Sequence, residues 1–169
     1  VAAEPVKIAW DSCVVIGCLD SKPDGDKFIR PIHELAIAGR FRIVVSTLAI
    51  AETVRLDGLT PEEQRLKIRD FFDSTYVDVY EMSRKIAEKT QDLIRELGKA
   101  KMRSADVVHV ATAVVSGAKH LLSDDDKMLT LNRIPAVSGT LRIMTPQSFF
   151  ETVVATDLPL FKSPSPGGT

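Results

Sequence analysis

Ser104 to Met128 reads SADVVHVATAVVSGAKHLLSDDDKM, and the rest of the chain is best read outward from it. Asp106 heads an Ala/Val-rich run that ends at Gly117. A short apolar segment, His120 to Leu122, then enters Asp124, Asp125 and Asp126. The layout predicts a helix, a turn, a buried strand and an acidic tip. The helical part is apolar almost all round, which predicts cover on most of its sides. An acid in a helix's first turn is favoured by the macrodipole in any protein, so Asp106 alone says little. Three consecutive carboxylates at a strand end say more. They repel one another, by on the order of 4 kcal/mol for a pair at 4 Å with an effective dielectric near 20, unless a cation or solvent relieves them.

The flanking sequence repeats the strand-then-acid theme. Val6 to Trp10 is a short apolar segment that halts at Asp11-Ser12, and Val14 to Leu19 resumes as a helix-sized apolar run. SKPDGDK, from Ser21, is turn chemistry. Phe28 to Ala38 carries Phe28, Ile32, Leu35 and Ala36 on one helical face, and Gly39 stands where a left-handed residue closes a helix. Arg42 to Val45 is β-branched, and Ser46-Thr47 caps a following helix, LAIAETVRL, with Glu52 in its middle. Thr60-Pro61-Glu62-Glu63 is a capping box with proline at the first helical position. Tyr76 to Tyr80 alternates as a short edge strand. Met82, Ile86, Leu93 and Leu97 mark an amphipathic helix stopped at Gly98. Leu141 to Met144 is a last strand, and Thr145-Pro146 opens a closing helix.

Strands alternating with helices predict an α/β fold: a three-layer α/β/α sandwich around a mostly parallel sheet. With 169 residues, 44% of them hydrophobic, the chain can bury one core and is short for two. One domain over residues 1–162 and a disordered Pro/Gly/Ser tail over 163–169 are expected. The net charge of −1 excludes whole-molecule attraction to a polyanion, so a nucleic-acid partner must use a local basic patch. The two cysteines, Cys13 and Cys18, would point in different directions, which predicts reduced thiols. No apolar run reaches the length of a membrane span, and VAAEPVK lacks a signal-peptide layout, so a cytoplasmic protein with no membrane partner is expected.

In a parallel sheet the strand ends that enter the following loops form one edge, where ligands bind. Asp11 follows the first strand, Glu52 lies in the helix after the second, and the Asp124 to Asp126 run follows the strand of the opening stretch. If those strands are neighbours, the acids meet on one rim, and Asp106 at a helix start joins them. Each has an ordinary alternative: an Asx turn for Asp11, an ion pair with Arg55 or another cation for Glu52 within an apolar, buried stretch, and a cap of the next short helix for the triple Asp. A rim of hard oxygen donors selects Mg²⁺ or Mn²⁺. Such ions orient an attacking water and neutralise charge on a phosphodiester. Zinc is disfavoured, because His33, His109 and His120 lack ligand spacing. For His109 the reading is a core histidine bonded to backbone. A Cys13 nucleophile has no base or oxyanion motif beside it.

Asp11-Ser12 after a strand, Glu52 preceded by Ser46-Thr47, Asp106-x-x-His109-x-Ala111-x-Ala113 and Leu121-Leu122-Ser123-x-Asp125 resemble the PIN domain over about residues 6–152. The resemblance implies a metal-dependent endoribonuclease that hydrolyses RNA phosphodiesters with Mg²⁺ or Mn²⁺. It also implies the toxin of a VapBC-type toxin-antitoxin module, often homodimeric and silenced by a cognate antitoxin protein. It assigns metal-site and catalytic roles to Asp11, Glu52, Asp106 and Asp125, with Ser12, Ser123 and Asp124 as supporting residues. Asp124 and Asp125 both remain open as the fourth ligand, Asp125 being favoured by the hydroxyl-x-acid spacing. Lys99, Lys101 and Arg103 precede Asp106 as a candidate RNA-binding segment. The alternative is a PIN-like nucleic-acid-binding or assembly module without nuclease turnover.

Overall fold

A computed structural model describes residues 4–20, 27–98 and 102–157. Within it, five short strands form one sheet: β1 (Val6–Trp10), β2 (Phe41–Ser46), β3 (Val77–Tyr80), β4 (His120–Leu122) and β5 (Arg142–Met144). Their order is β3-β2-β1-β4-β5, and every pairing is parallel. Parallel neighbours require crossovers, and here helices supply them on both faces, giving the expected three layers. The sheet is wholly rather than mostly parallel.

The period of two is visible in what each strand buries. Ile8 and Trp10, Ile43 and Val45, Leu122 and Met144 face one core, while Ala9, Val44, Leu121 and Ile143 face the other. The first core is closed by α1 (Ser12–Asp20), α2 (Ile29–Ile37), α3 (Thr47–Glu52), α4 (Pro61–Phe72) and the C-terminal helical segment that starts at Pro146. The second is closed by α5 (Arg84–Leu97), α6 (Ser104–Ser116) and α7 (Asp126–Thr130). Both faces being covered explains why the strands read as apolar runs with few polar interruptions. As the opening stretch predicts, α6 is buried almost all round, from Val107 to Ala113. Its end is set by Gly117, whose φ of 77° is left-handed.

Several helix limits follow from local chemistry. Thr60 accepts the Glu63 N–H while the Glu63 carboxylate accepts the Thr60 N–H, so α4 begins with a complete capping box. Ser83 caps α5 through the Ile86 N–H, which leaves Met82 outside the helix and exposed. The larger departure is α3, which ends at Glu52 instead of continuing to Leu56. Thr53 turns its hydroxyl back onto the Ala49 carbonyl at 2.6 Å and its backbone leaves the helical region at ψ 70°. That local bond competes with helix propagation, as threonine side chains do. The stretch around Glu52 is also less buried than its composition suggests, because Ile50 and Val54 are exposed. They line an apolar groove of about 540 Å³ with Pro61, Ile68 and Phe72 of α4.

Among the described residues no helix is long and apolar enough to cross a membrane. Residues 158–162 and the 163–169 tail lie outside the described residues.

The strand order reverses between β1 and β4, with α1 leaving β1 toward one face and α7 leaving β4 toward the other. A crevice outside the carboxyl ends of the strands forms at such a reversal. What stands in it is fixed by the residues that follow Trp10 and Leu122.

Candidate functional site

Asp11 and Ser123 are the first residues beyond those two strands. The Asp11 N–H continues the ladder by donating to the Leu122 carbonyl at 3.1 Å, so the backbone is tied before the side chains interact. Ser123, fully buried, donates its hydroxyl to Asp11 Oδ2 at 2.6 Å. Asp11 Oδ1 accepts the Cys13 N–H, the Asx turn expected for an acid at a strand end. Asp11 is itself buried, at 6% exposure, and its charge is held by these donors instead of a cation.

The acidic loop is built on the same serine. Ser123 Oγ accepts the Asp125 N–H at 3.1 Å, and Cys13 Sγ accepts the Asp124 N–H at 3.3 Å. Asp125 accepts the Lys127 N–H at 2.8 Å and so caps α7, which satisfies the ordinary reading of that residue. Its charge nevertheless reaches Asp106. Burial first and the Asp125 charge next push the Asp106 carboxyl above the usual carboxylate range, against the opposing pull of the Arg103 N–H and the Arg103 and His109 charges. Asp124 is raised as well, by desolvation and by the charge of Asp11. The two loop acids therefore lean on different partners, Asp124 on Asp11 and Asp125 on Asp106.

Asp106 arrives from the opposite direction. A helix that leads into a parallel strand runs antiparallel to it, so the first turn of α6 stands at the carboxyl edge of the sheet. Arg103 is the residue before α6, exposed, and offers no side-chain cap; the Asp106 carboxylate takes the Arg103 N–H in its place.

Glu52, the last residue of α3, is held by a histidine for which the sequence suggests a backbone partner instead. Its Oε2 lies 2.9 Å from His109 Nε2, a contact 57 residues apart in sequence. The partner that Glu52 finds is therefore His109 and not Arg55, and among the described residues His109 has no backbone partner. His109 is buried, and among the described residues its Nδ1 has no hydrogen-bond partner. Geometry thus identifies His109 as the group that orients Glu52, with Nε2 carrying the proton when the imidazole is neutral. The i, i+3 spacing from Asp106 was the one available sign that His109 shares the site's side of α6.

Ser12 opens α1, and its hydroxyl makes no hydrogen bond among the described residues. Lys99 and Lys101 lie outside the described residues. Cys13 and Cys18 are not joined in a disulfide. Desolvation around the Cys13 sulfur, in a residue that is exposed as a whole, and the neighbouring Asp11 charge push its pKa well above the ordinary value, which keeps the sulfur protonated and a poor nucleophile.

The donor set is one of hard oxygens, and none of Asp11, Asp106, Asp124 and Asp125 forms an ion pair with lysine or arginine among the described residues. No three His, Cys, Asp or Glu side chains among those residues are already closed around one point as a metal cage. Mg²⁺ does not require one, since it keeps several waters and takes one or two carboxylates. A carboxylate pair here with waters completing the shell fits such an ion.

The raised carboxyl pKa values fix the sign of a pH effect. The folded chain holds protons on Asp106 and Asp124 that the unfolded chain has released, so metal-free stability rises as pH falls through the raised values toward 3.8 and is lost as pH climbs back. Asp106→Asn is therefore expected to raise the melting temperature of chelator-treated protein by a few degrees at pH 7, with the gain vanishing near the ordinary carboxylate pKa. Calorimetric melts across pH check this; a variant that melts below wild type at pH 7 contradicts it.

A sequence model of the PIN domain matches residues 8–134. No curated protein matches the chain significantly. Among solved structures, DNA-bound VapBC from Salmonella typhimurium contains a similar chain, with TM-score 0.64 and 19% identity, covering 83% of this chain and 98% of that one. VapBC2 from Rickettsia felis bound to a promoter DNA fragment matches with TM-score 0.63 and 17% identity, covering 83% and 98%. VapBC-1 from nontypeable Haemophilus influenzae matches with TM-score 0.61 and 15% identity, covering 84% and 99%. Identities this low establish a common fold alone, but the family match spans most of the chain and takes in Asp11, Glu52, Asp106 and Asp125, the acids brought to the carboxyl edge of the sheet. The chain belongs to the PIN domain family.

Proposed function

We propose that the chain is a Mg²⁺- or Mn²⁺-dependent endoribonuclease, hydrolysing RNA phosphodiesters at the rim formed by Asp11, Glu52, Asp106, Asp124 and Asp125. The supporting observation is a set of carboxylates from separate elements, gathered at the strand-order reversal and left without lysine or arginine ion pairs. Repulsion of that kind is costly to a fold and is relieved by a cation. A bound divalent ion would lower the pKa of an attacking water and neutralise charge on the phosphodiester. The chain's own contribution is orientation: Ser123 and the Cys13 N–H fix both oxygens of Asp11, and His109 fixes one oxygen of Glu52. Arg103, at the entry to α6, is the described cation of the 99–103 segment and would meet substrate phosphates.

RNA as substrate and an antitoxin as partner follow from the family likeness and from the VapBC complexes in which similar chains occur. The exposed groove of Ile50, Val54, Pro61, Ile68 and Phe72, with Arg65 and Arg69 at its lining, is a surface that a partner protein would cover. Homodimerisation belongs to the same reading.

Incubation with mixed single-stranded and structured RNAs tests the reading. Cleavage is expected with Mn²⁺ or Mg²⁺, with at least a hundredfold loss on chelation, the scale of losing one main electrostatic stabiliser. RNA binding with no cleavage in either metal would instead favour a module without turnover.

A further inference from the structure

Cys13 touches the acidic loop directly, yet the proposed reaction leaves it unused. The chain turns from β1 into α1 within one residue of Asp11, which sets residue 13 beside the loop that follows β4. Its Sγ accepts the Asp124 N–H at 3.3 Å and lies 3.9 Å from Ser123 Oγ. Ser123 gives its own proton to Asp11 and accepts the Asp125 N–H, so the thiol proton is directed at the remaining lone pair of that oxygen. Two consecutive loop amides, 124 and 125, are thus held by two side chains, and both side chains sit on residues bonded to Asp11.

We propose that Cys13 is a positioning residue, whose sulfur fixes the Asp124 peptide so that the Asp124 carboxylate faces Asp11 while Asp125 is left to cap α7 and face Asp106. The proposal rests on the metal-site reading above. A peptide plane is rigid, so anchoring its N–H fixes the direction in which the chain leaves it. With the amide of residue 125 anchored as well, the loop has little freedom to exchange the roles of its two acids. Asp125 already has one oxygen engaged by the Lys127 N–H, whereas no hydrogen bond engages the Asp124 carboxylate among the described residues. The arrangement leaves both Asp124 oxygens open to a cation beside Asp11, whose oxygens keep a lone pair each beyond the bonds they accept.

The test measures Mn²⁺ binding directly, by the electron paramagnetic resonance signal of the free ion, in wild type, Cys13→Ala, Cys13→Val and Cys13→Ser. Loss of an outer-shell partner typically weakens metal binding by about 10-fold or more, and the Ala and Val variants are expected to show that loss. Val fills the sulfur's space without an acceptor, so it decides the matter should Ala perturb folding. Ser restores an acceptor and is expected to recover most of the affinity. In an Asp124→Asn background, Cys13→Ala is expected to add less than about 2-fold, because coupled groups are not additive. Affinity unchanged in Ala and Val, a Ser variant as weak as Ala, or full additivity with Asp124→Asn would each overturn the proposal while leaving the nuclease reading intact. A wild type that binds no Mn²⁺ would overturn both.

Discussion

Asp11→Asn is expected to lower RNA cleavage by about 100- to 1,000-fold while the protein remains folded. The expectation follows from what the carboxylate touches. Both oxygens accept hydrogen bonds, from the Cys13 N–H and from the Ser123 hydroxyl, inside a shell that leaves Asp11 only 6% exposed. Asparagine keeps one oxygen for the Cys13 N–H. Its amide NH2 faces the Ser123 hydroxyl, so the hydrogen bond that the serine donates to Oδ2 is lost. The rearrangement disturbs one hydrogen bond, worth about 1 kcal/mol, whereas removing the charge takes away the innermost member of the cluster. Steady-state cleavage rates alongside circular dichroism separate the two effects. A rate within tenfold of wild type would place the chemistry elsewhere, and an unfolded variant would mean that the charge serves the fold.

The second large effect is on stability. Millimolar Mn²⁺ is expected to raise the melting temperature, since an ion that binds only the folded chain at a hundred times its Kd contributes about 2.7 kcal/mol. For a chain of this size that corresponds to roughly 5–10 °C. Asp106→Asn should lose more than half of the gain, although the same variant is the more stable protein in chelator at pH 7. That inversion distinguishes a cation site from a merely acidic surface. Screening by monovalent salt would relieve repulsion in wild type too, but without discriminating between exposed acids and a convergent pair. A melting temperature equally insensitive to Mn²⁺ in wild type and variant would contradict the expectation.

Much of the architecture is legible in the chain because it is written locally. The capping box at Thr60, the left-handed Gly39 and Gly117, and the apolar run of α6 act within a few residues of themselves, and each stands where expected. The pairing of β1 with β2 fits the preference of successive strands to lie side by side, whereas that of β1 with β4, which the sequence leaves conditional, joins strands that are not successive. What the sequence conceals is pairwise and distant. Glu52 finds His109 only because α6 crosses back over β2, and no spacing rule reaches across 57 residues. Glu52 looks interior because its neighbours are apolar, yet Thr53 ends the helix early and turns Ile50 and Val54 outward. The spacing rule that prefers Asp125 over Asp124 is equally blind to the turn itself. Asp125 accepts the Lys127 N–H and the Asp124 N–H meets the Cys13 sulfur, contacts that the turn sets and the spacing does not.

Metal-dependent cleavage at this edge requires that the carboxylates after β1, in α6 and in the loop after β4 be close enough to share one hydrated cation. A crystal soaked in Mn²⁺ and measured at the manganese absorption edge tests that most directly. An anomalous peak at ligating distance from Asp11, between it and the 124–125 loop, is the predicted result. Density confined to other acidic surfaces, or no peak at a concentration that supports cleavage, would contradict it.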